Sequence, residues 1–165
     1  MRNQVSVGLA VLLLYTMAAA QQKRGPSTPE ERKRAVAIAR KLEETPLDAG
    51  LRPEVQWAIH WIADVPDVQV NLCPQSLGDF RGYKYAPVIA TQVALSSAAF
   101  LIEHPDHAGE DVAQYIAGVE GALKAYKSIL RSHPDQKSPA LDELLRKQDH
   151  GELASYVREA GKGCK

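Results

Sequence analysis

Apolar positions recur along this chain at helical spacing in nearly every segment, and the period of two that paired strands require occurs in only one place. Thr28-Pro29-Glu30-Glu31 has the grammar of a helix start, with Thr as N-cap, Pro at the first turn and Glu placed to close a capping box. Ala35, Ile38, Ala39 and Leu42 then form one apolar stripe that runs to about Glu44, and the opposite face is rich in Arg and Lys. Pro53 begins a second helix and Pro66 ends it. Val55, Ala58, Ile59 and Ile62 make its stripe, while Trp57 and Trp61 fall roughly 110–150° away, so this helix is expected to be sandwiched in a core. Residues 67–80 are read as a short helix broken near Pro74, because the alternation Val68-Gln69-Val70-Asn71-Leu72 is a lone strand pattern with nothing to pair with.

From Tyr85 to Ile102 no residue is charged, and Val88, Ile89, Val93, Leu95, Phe100, Leu101 and Ile102 point in all directions among alanines and serines. A helix apolar all round is buried all round, so the segment 87–103 is expected at the centre of the fold. Thr91, Gln92 and the serines argue against a membrane span. The most regular stripe follows, through Val112, Tyr115, Ile116, Val119, Ala122, Leu123, Tyr126, Ile129 and Leu130. Ser138-Pro139 starts a helix through Leu141, Leu144 and Leu145 that Gly151 breaks, and Leu153, Tyr156 and Val157 make a last one. The predicted fold is therefore all-α, a compact bundle of six or seven helices around the 87–103 helix.

The N-terminus changes the picture of where this bundle resides. One positive charge, an uncharged and mostly apolar run from Val5 to Met17, and the small residues Ala18-Ala19-Ala20 have the layout of a signal peptide cleaved after residue 20. The division is then 1–20 signal peptide and 21–165 a single helical domain, periplasmic or secreted, with no membrane span in the mature form. That domain carries 19 Lys+Arg against 20 Asp+Glu, a balance that argues against nucleic acid, whose binding rests on cationic surface. In an oxidising compartment Cys73 and Cys164 have only each other as intramolecular partners. Their bond would close a loop of about 91 residues and contribute on the order of 4 kcal/mol in the chain-entropy picture.

Candidate chemistry is sparse. His-Pro-Asp occurs at 104–106 and 133–135, each time where a helix is expected to stop, and a proline after a C-terminal histidine suffices to explain both. The first copy lies among other ligand types, so Glu103, His104, His107 and Glu110 are a candidate metal set. Phe80-Arg81-Gly82-Tyr83-Lys84-Tyr85 interleaves aromatics with cations in a loop, and Phe80, Arg81, Tyr83, Lys84 and Tyr85 are candidate contact residues, with Tyr83 expected at the surface. Trp57 and Trp61 are a second aromatic candidate, though core packing explains them more simply. No G-x-S-x-G or glycine-rich phosphate loop occurs, and Ser96-Ser97 sit mid-helix with no base near them in sequence. Gly118 and Gly121 lie within a helix, where close helix packing is the expected cause. No cofactor is called for.

Ala122, Tyr126, Ile129 and Pro134 reproduce the spacing of the second helix of a tetratricopeptide repeat, and this quarter of the chain resembles such a half repeat. The tryptophan-bearing first half has no counterpart upstream. What the resemblance implies is a helical protein-binding surface. The expected function is thus a non-enzymatic, exported binding or accessory protein whose partner is another envelope or extracellular protein, acting through a helical groove or the 80–85 loop. The alternatives are a metal-dependent envelope enzyme using the 103–111 cluster, and a small inhibitor or immunity-type protein.

Overall fold

A computed structural model describes residues 24–164; the expected signal peptide lies outside them. Six α-helices follow in order: α1 (Pro29–Glu44), α2 (Arg52–Asp64), α3 (Ala86–Glu103), α4 (Asp111–Ser132), α5 (Pro139–Asp149) and α6 (Leu153–Gly161). Short 3-10 turns precede α2 at Ala49–Leu51, follow the 65–73 segment at Pro74–Leu77, and link α3 to α4 at Pro105–His107. No strand occurs among the described residues.

The local signals act as their chemistry requires. The Thr28 hydroxyl accepts from Glu31 N at 3.2 Å while the Glu31 carboxylate accepts from Thr28 N at 2.9 Å. The reciprocal pair satisfies two amides that the first helical turn leaves free. Both His-Pro-Asp triplets end helices: His104 N donates to Phe100 O at 2.8 Å and His133 N to Ile129 O at 2.7 Å, and the proline that follows prevents another turn. Residues 67–80 depart from expectation, since only Pro74–Leu77 is helical. The stretch before it is extended and unpaired as strand, and it is held to α4 by Asn71 N donating to Gln114 Oε1 at 2.9 Å.

α3 is the central helix and packs against α1, α2 and α4, but Pro87 and Ala90 in its first turns are exposed, so it is not buried all round as expected. By length and composition it could cross a membrane. Here Ile89, Leu95, Ala98 and Ala99 are core residues, and its polar side chains are wired to neighbours. Gln92 Nε2 donates to Ala39 O (3.1 Å) and Ser96 Oγ (2.7 Å), and Ser97 Oγ donates to Gln114 O (3.1 Å). Against α4 the contact is close. A Cβ on Gly118 would lie 2.6 Å from Ser97 Oγ, and one on Gly121 1.9 Å from Ser96 Oγ. Both glycines are there because α3 leaves no room for a side chain.

α2 is peripheral rather than sandwiched. Ala58 and Trp61 are buried, Trp57 is half-buried, and Ile59 is 37 % exposed. Among the described residues Gln56, Ile59, His60 and Ala63 stay exposed on its outer side, while Ala58 of the expected stripe is buried together with Trp61. Trp57 and Trp61 stack with centroids 5.8 Å apart, and the Arg34 guanidinium sits 3.8 Å above Trp57. At the other end of the chain, Cys73 and Cys164 are joined, as the cysteine count required. The bond ties the end of α6 to the segment before the Pro74–Leu77 turn, and Gly161 packs on the Tyr115 ring of α4.

Candidate functional site

The 80–85 loop does not present Tyr83. Two successive turns, Tyr83 N to Phe80 O (2.9 Å) and Ala86 N to Tyr83 O (3.0 Å), swing its ring inward. Tyr83 is 9 % exposed and meets Tyr126 edge to face at 5.7 Å. Its hydroxyl has no hydrogen-bond partner, and desolvation pushes its pKa up to about 12, with Tyr85 and Asp142 adding to the rise. Tyr126 beside it is satisfied, accepting from Ser138 N at 2.7 Å and donating to Asp142 at 2.8 Å. Phe80 and Tyr85 are half-buried against the same core. Only Arg81 and Lys84 remain at the surface, the first paired with Asp79 at 3.0 Å and the second resting 5.2 Å above the Tyr85 ring. The expectation of an exposed Tyr83 is thus corrected: the loop is packing, closed by an aromatic cluster whose other half lies on α4.

The candidate metal set does not assemble. Glu103 turns back to Arg40 at 2.6 Å, while His107 Nδ1 meets Glu110 at 2.8 Å, a hydrogen bond that raises the imidazole pKa. The His104 ring lies against Phe100 at 4.8 Å. Among the described residues no three His, Cys, Asp or Glu converge as ligands. Adjacency in sequence failed here because Arg40, from α1, draws Glu103 away from the rest.

A polar seam runs inside α1, α3 and α4. Glu43, 7 % exposed, accepts from Arg40 (2.8 Å), Lys124 (3.3 Å) and Ser96 (3.3 Å). Its backbone carbonyl accepts from Ser128 Oγ at 2.7 Å. Arg40 answers Glu43 from the same helix, Lys124 and Ser128 from α4 and Ser96 from α3, so the seam ties the three helices in register. Ala122, Tyr126 and Ile129, the residues that resemble a tetratricopeptide half repeat, are likewise buried, in the core cluster around α4.

Of several surface hollows, including one of about 470 Å³ with a more polar lining beside Cys164, the one with the most apolar lining is a groove of about 460 Å³ at the corner between α1 and α2, facing the first turns of α3. Its shape follows from how α1 ends. Thr45 N and Oγ1 both turn back to Lys41 O, and Pro46 stops the helix. Asp48 then caps the 3-10 turn, its Oδ1 accepting from Gly50 N at 2.8 Å, and the turn runs straight into α2. This corner stands Leu47, Leu51 and Val55 opposite Pro87, Val88 and Thr91, with Leu42 at the base. Leu47 packs with the core cluster around α4, whereas Leu51 and Val55 pack with the cluster between α1 and α3, so the groove opens where the two clusters part. Asp48 and Arg52 are the charged residues of its lining. Beyond the Pro46–Leu47 ridge a second hollow of about 360 Å³ reaches Ser128 and Arg131 on α4. In sequence the apolar groove residues are ordinary stripe or loop positions, with nothing to single them out.

Comparison with protein-family models, curated proteins and solved structures finds no match for this chain.

Proposed function

We propose that this chain is an exported, non-enzymatic helical binding protein that engages a partner in the envelope or outside the cell through the groove at the α1–α2 corner. The observation that carries this reading is the groove itself. Its volume of about 460 Å³ falls among those of ligand sites, and like them it is mostly apolar with a few polar groups at its margin. Leu47, Leu51, Val55, Val88 and Thr91 are each only half-buried, so a ligand would cover apolar surface that the fold leaves uncovered. The disulfide supports residence in an oxidising compartment, and cleavage after residue 20 would release a mature chain beginning at Gln21.

An environment-sensitive apolar dye tests the groove. Its emission should rise with the wild-type protein and stay at background with Val88→Arg, which places a charge across the groove. Helical circular dichroism of the variant should be unchanged, because Val88 is at the margin of the core. Equal emission from both proteins would remove the groove as the site. Intact mass of the protein from its native host tests export: a chain that begins at Gln21 supports it, and one retaining Met1 overturns it.

A further inference from the structure

We infer that the occupant of the groove is a short helical segment of a protein partner, inserting two apolar side chains one turn apart between a basic and an acidic residue of its own. This rests on the binding reading above and adds the chemistry of the ligand.

The first argument is length. One wall is made by Leu51, at the end of the 3-10 turn, and Val55 on α2, four residues apart, and the α3 wall by Val88 and Thr91, three apart. Each wall is therefore one helical turn, and the groove receives two side chains at i and i+4 spacing, about 6 Å between their Cβ atoms. The second argument is backbone. Helices α2 and α3, a 3-10 turn and the bend at 46–48 form the walls, and no strand edge exists among the described residues. An extended peptide laid here would find no ladder for its N–H and C=O groups, whereas a helix satisfies its own.

Charge narrows the occupant further. Six of the nine arginines between residues 24 and 164 are ion-paired to carboxylates, namely Arg24, Arg32, Arg34, Arg40, Arg81 and Arg146. Arg52, exposed on the groove, is in no ion pair among the described residues, although Asp48 lines the same groove one turn away. Arg52 also stands in the first turn of α2, where the helix dipole disfavours a cation, so folding alone gives this charge no favourable partner. A fatty-acid type amphiphile would answer Arg52 and be repelled by Asp48. A peptide carrying one acid and one base answers both.

The test uses labelled helical peptides of about 14 residues, with Leu at two positions four apart, Lys one turn before them and Glu one turn after. The controls are the same peptide with both Leu replaced by Gln, the same peptide with Lys and Glu replaced by Gln, and decanoate. The leucine peptide should bind the full mature chain saturably by fluorescence anisotropy. Loss of both leucines, or Val88→Arg in the protein, should weaken it by about tenfold or more. Arg52→Glu should weaken the charged peptide about two- to fivefold and leave the uncharged one unchanged. If decanoate displaces the dye while no peptide binds, the peptide inference is wrong and the groove reading stands. If neither binds and the dye is also indifferent to Val88→Arg, both are wrong. A wild-type dimer in sedimentation that Val88→Arg dissolves would replace the peptide with a second copy of this chain.

Discussion

The two sides of α3 have been built on opposite terms. Against α4 the helix is pressed so close that Gly118 and Gly121 have no room for a methyl group, and every polar side chain but one atom, Gln92 Oε1, has found a partner. Against the α1–α2 corner, Pro87, Val88 and Thr91 face Leu51 and Val55 across a gap that no side chain of the described chain fills. The difference teaches where to look for function. Interiors close to near-crystalline density, and a contact that is fully satisfied has nothing left to offer a partner. Sequence had pointed to charged and aromatic clusters, yet the charges there are largely paired and the rings largely packed. What the groove leaves open is mostly apolar.

The contrast breaks most readily at Gly121. Its Cβ would lie 1.9 Å from Ser96 Oγ and 2.5 Å from Ser96 Cβ, so Gly121→Val must force the helices apart. The expected loss is about 3 kcal/mol or more in urea unfolding. A variant within about 1 kcal/mol of wild type would show that the α3–α4 contact is looser than described. Tyr83 sharpens the comparison by testing on which side of it the 80–85 loop belongs. Tyr83→Ala should cost about 3 kcal/mol as a core aromatic deletion. Tyr83→Phe should be neutral or slightly stabilising, since the buried hydroxyl has no partner to lose. Melting midpoints that rank these two variants in the reverse order would return Tyr83 to the surface.

The smallest effect is expected where the chain preceding α1 is pinned. Asp67 accepts from Ser27 N and Ser27 Oγ, each at 2.8 Å, and from Arg32 at 2.6 Å. Desolvation would raise its pKa, but these hydrogen bonds outweigh it and hold the group at about 2 against an ordinary 3.8. A depressed folded-state value means the stabilisation is complete above the ordinary value and is lost as pH falls through about 2. The melting midpoint of wild type should therefore fall between pH 4 and pH 2 more steeply than that of Asp67→Asn. Parallel slopes would show that the strap contributes nothing.

How much of this was legible depended on the range of the interaction that decides it. The α1 capping box, the α4 stripe and the uncharged run of α3 are local patterns, and local backbone and solvent physics suffices to fix them. The Cys73–Cys164 bond was legible by elimination, and the glycines of α4 by their incompatibility with any reason except close approach. Tyr83 was not, because its burial depends on Tyr126, 43 positions later, and nothing near Tyr83 encodes that meeting. The Glu103–His107 cluster was misread for the same reason, its partner Arg40 being 63 positions away. The groove is the extreme case. It is an absence of contact between residues from four segments, and a sequence pattern records the residues but not the gap.

The disulfide divides the chain into two mechanical classes. Its bond joins Cys73 to Cys164 and so makes the last helices, α3 through α6, parts of one closed covalent ring. α1 and α2 hang outside that ring as an open arm attached at residue 73. A protease that nicks the ring at any one bond leaves its pieces linked, and they would migrate together until reductant is added. A nick in the arm releases a fragment at once. The groove has one wall on the arm, at Leu51 and Val55, and the other on the ring, at Val88 and Thr91. A ligand lodged between them is a clasp across the two classes. Its presence would be legible as slower release of the arm, even if nothing else about the protein changed.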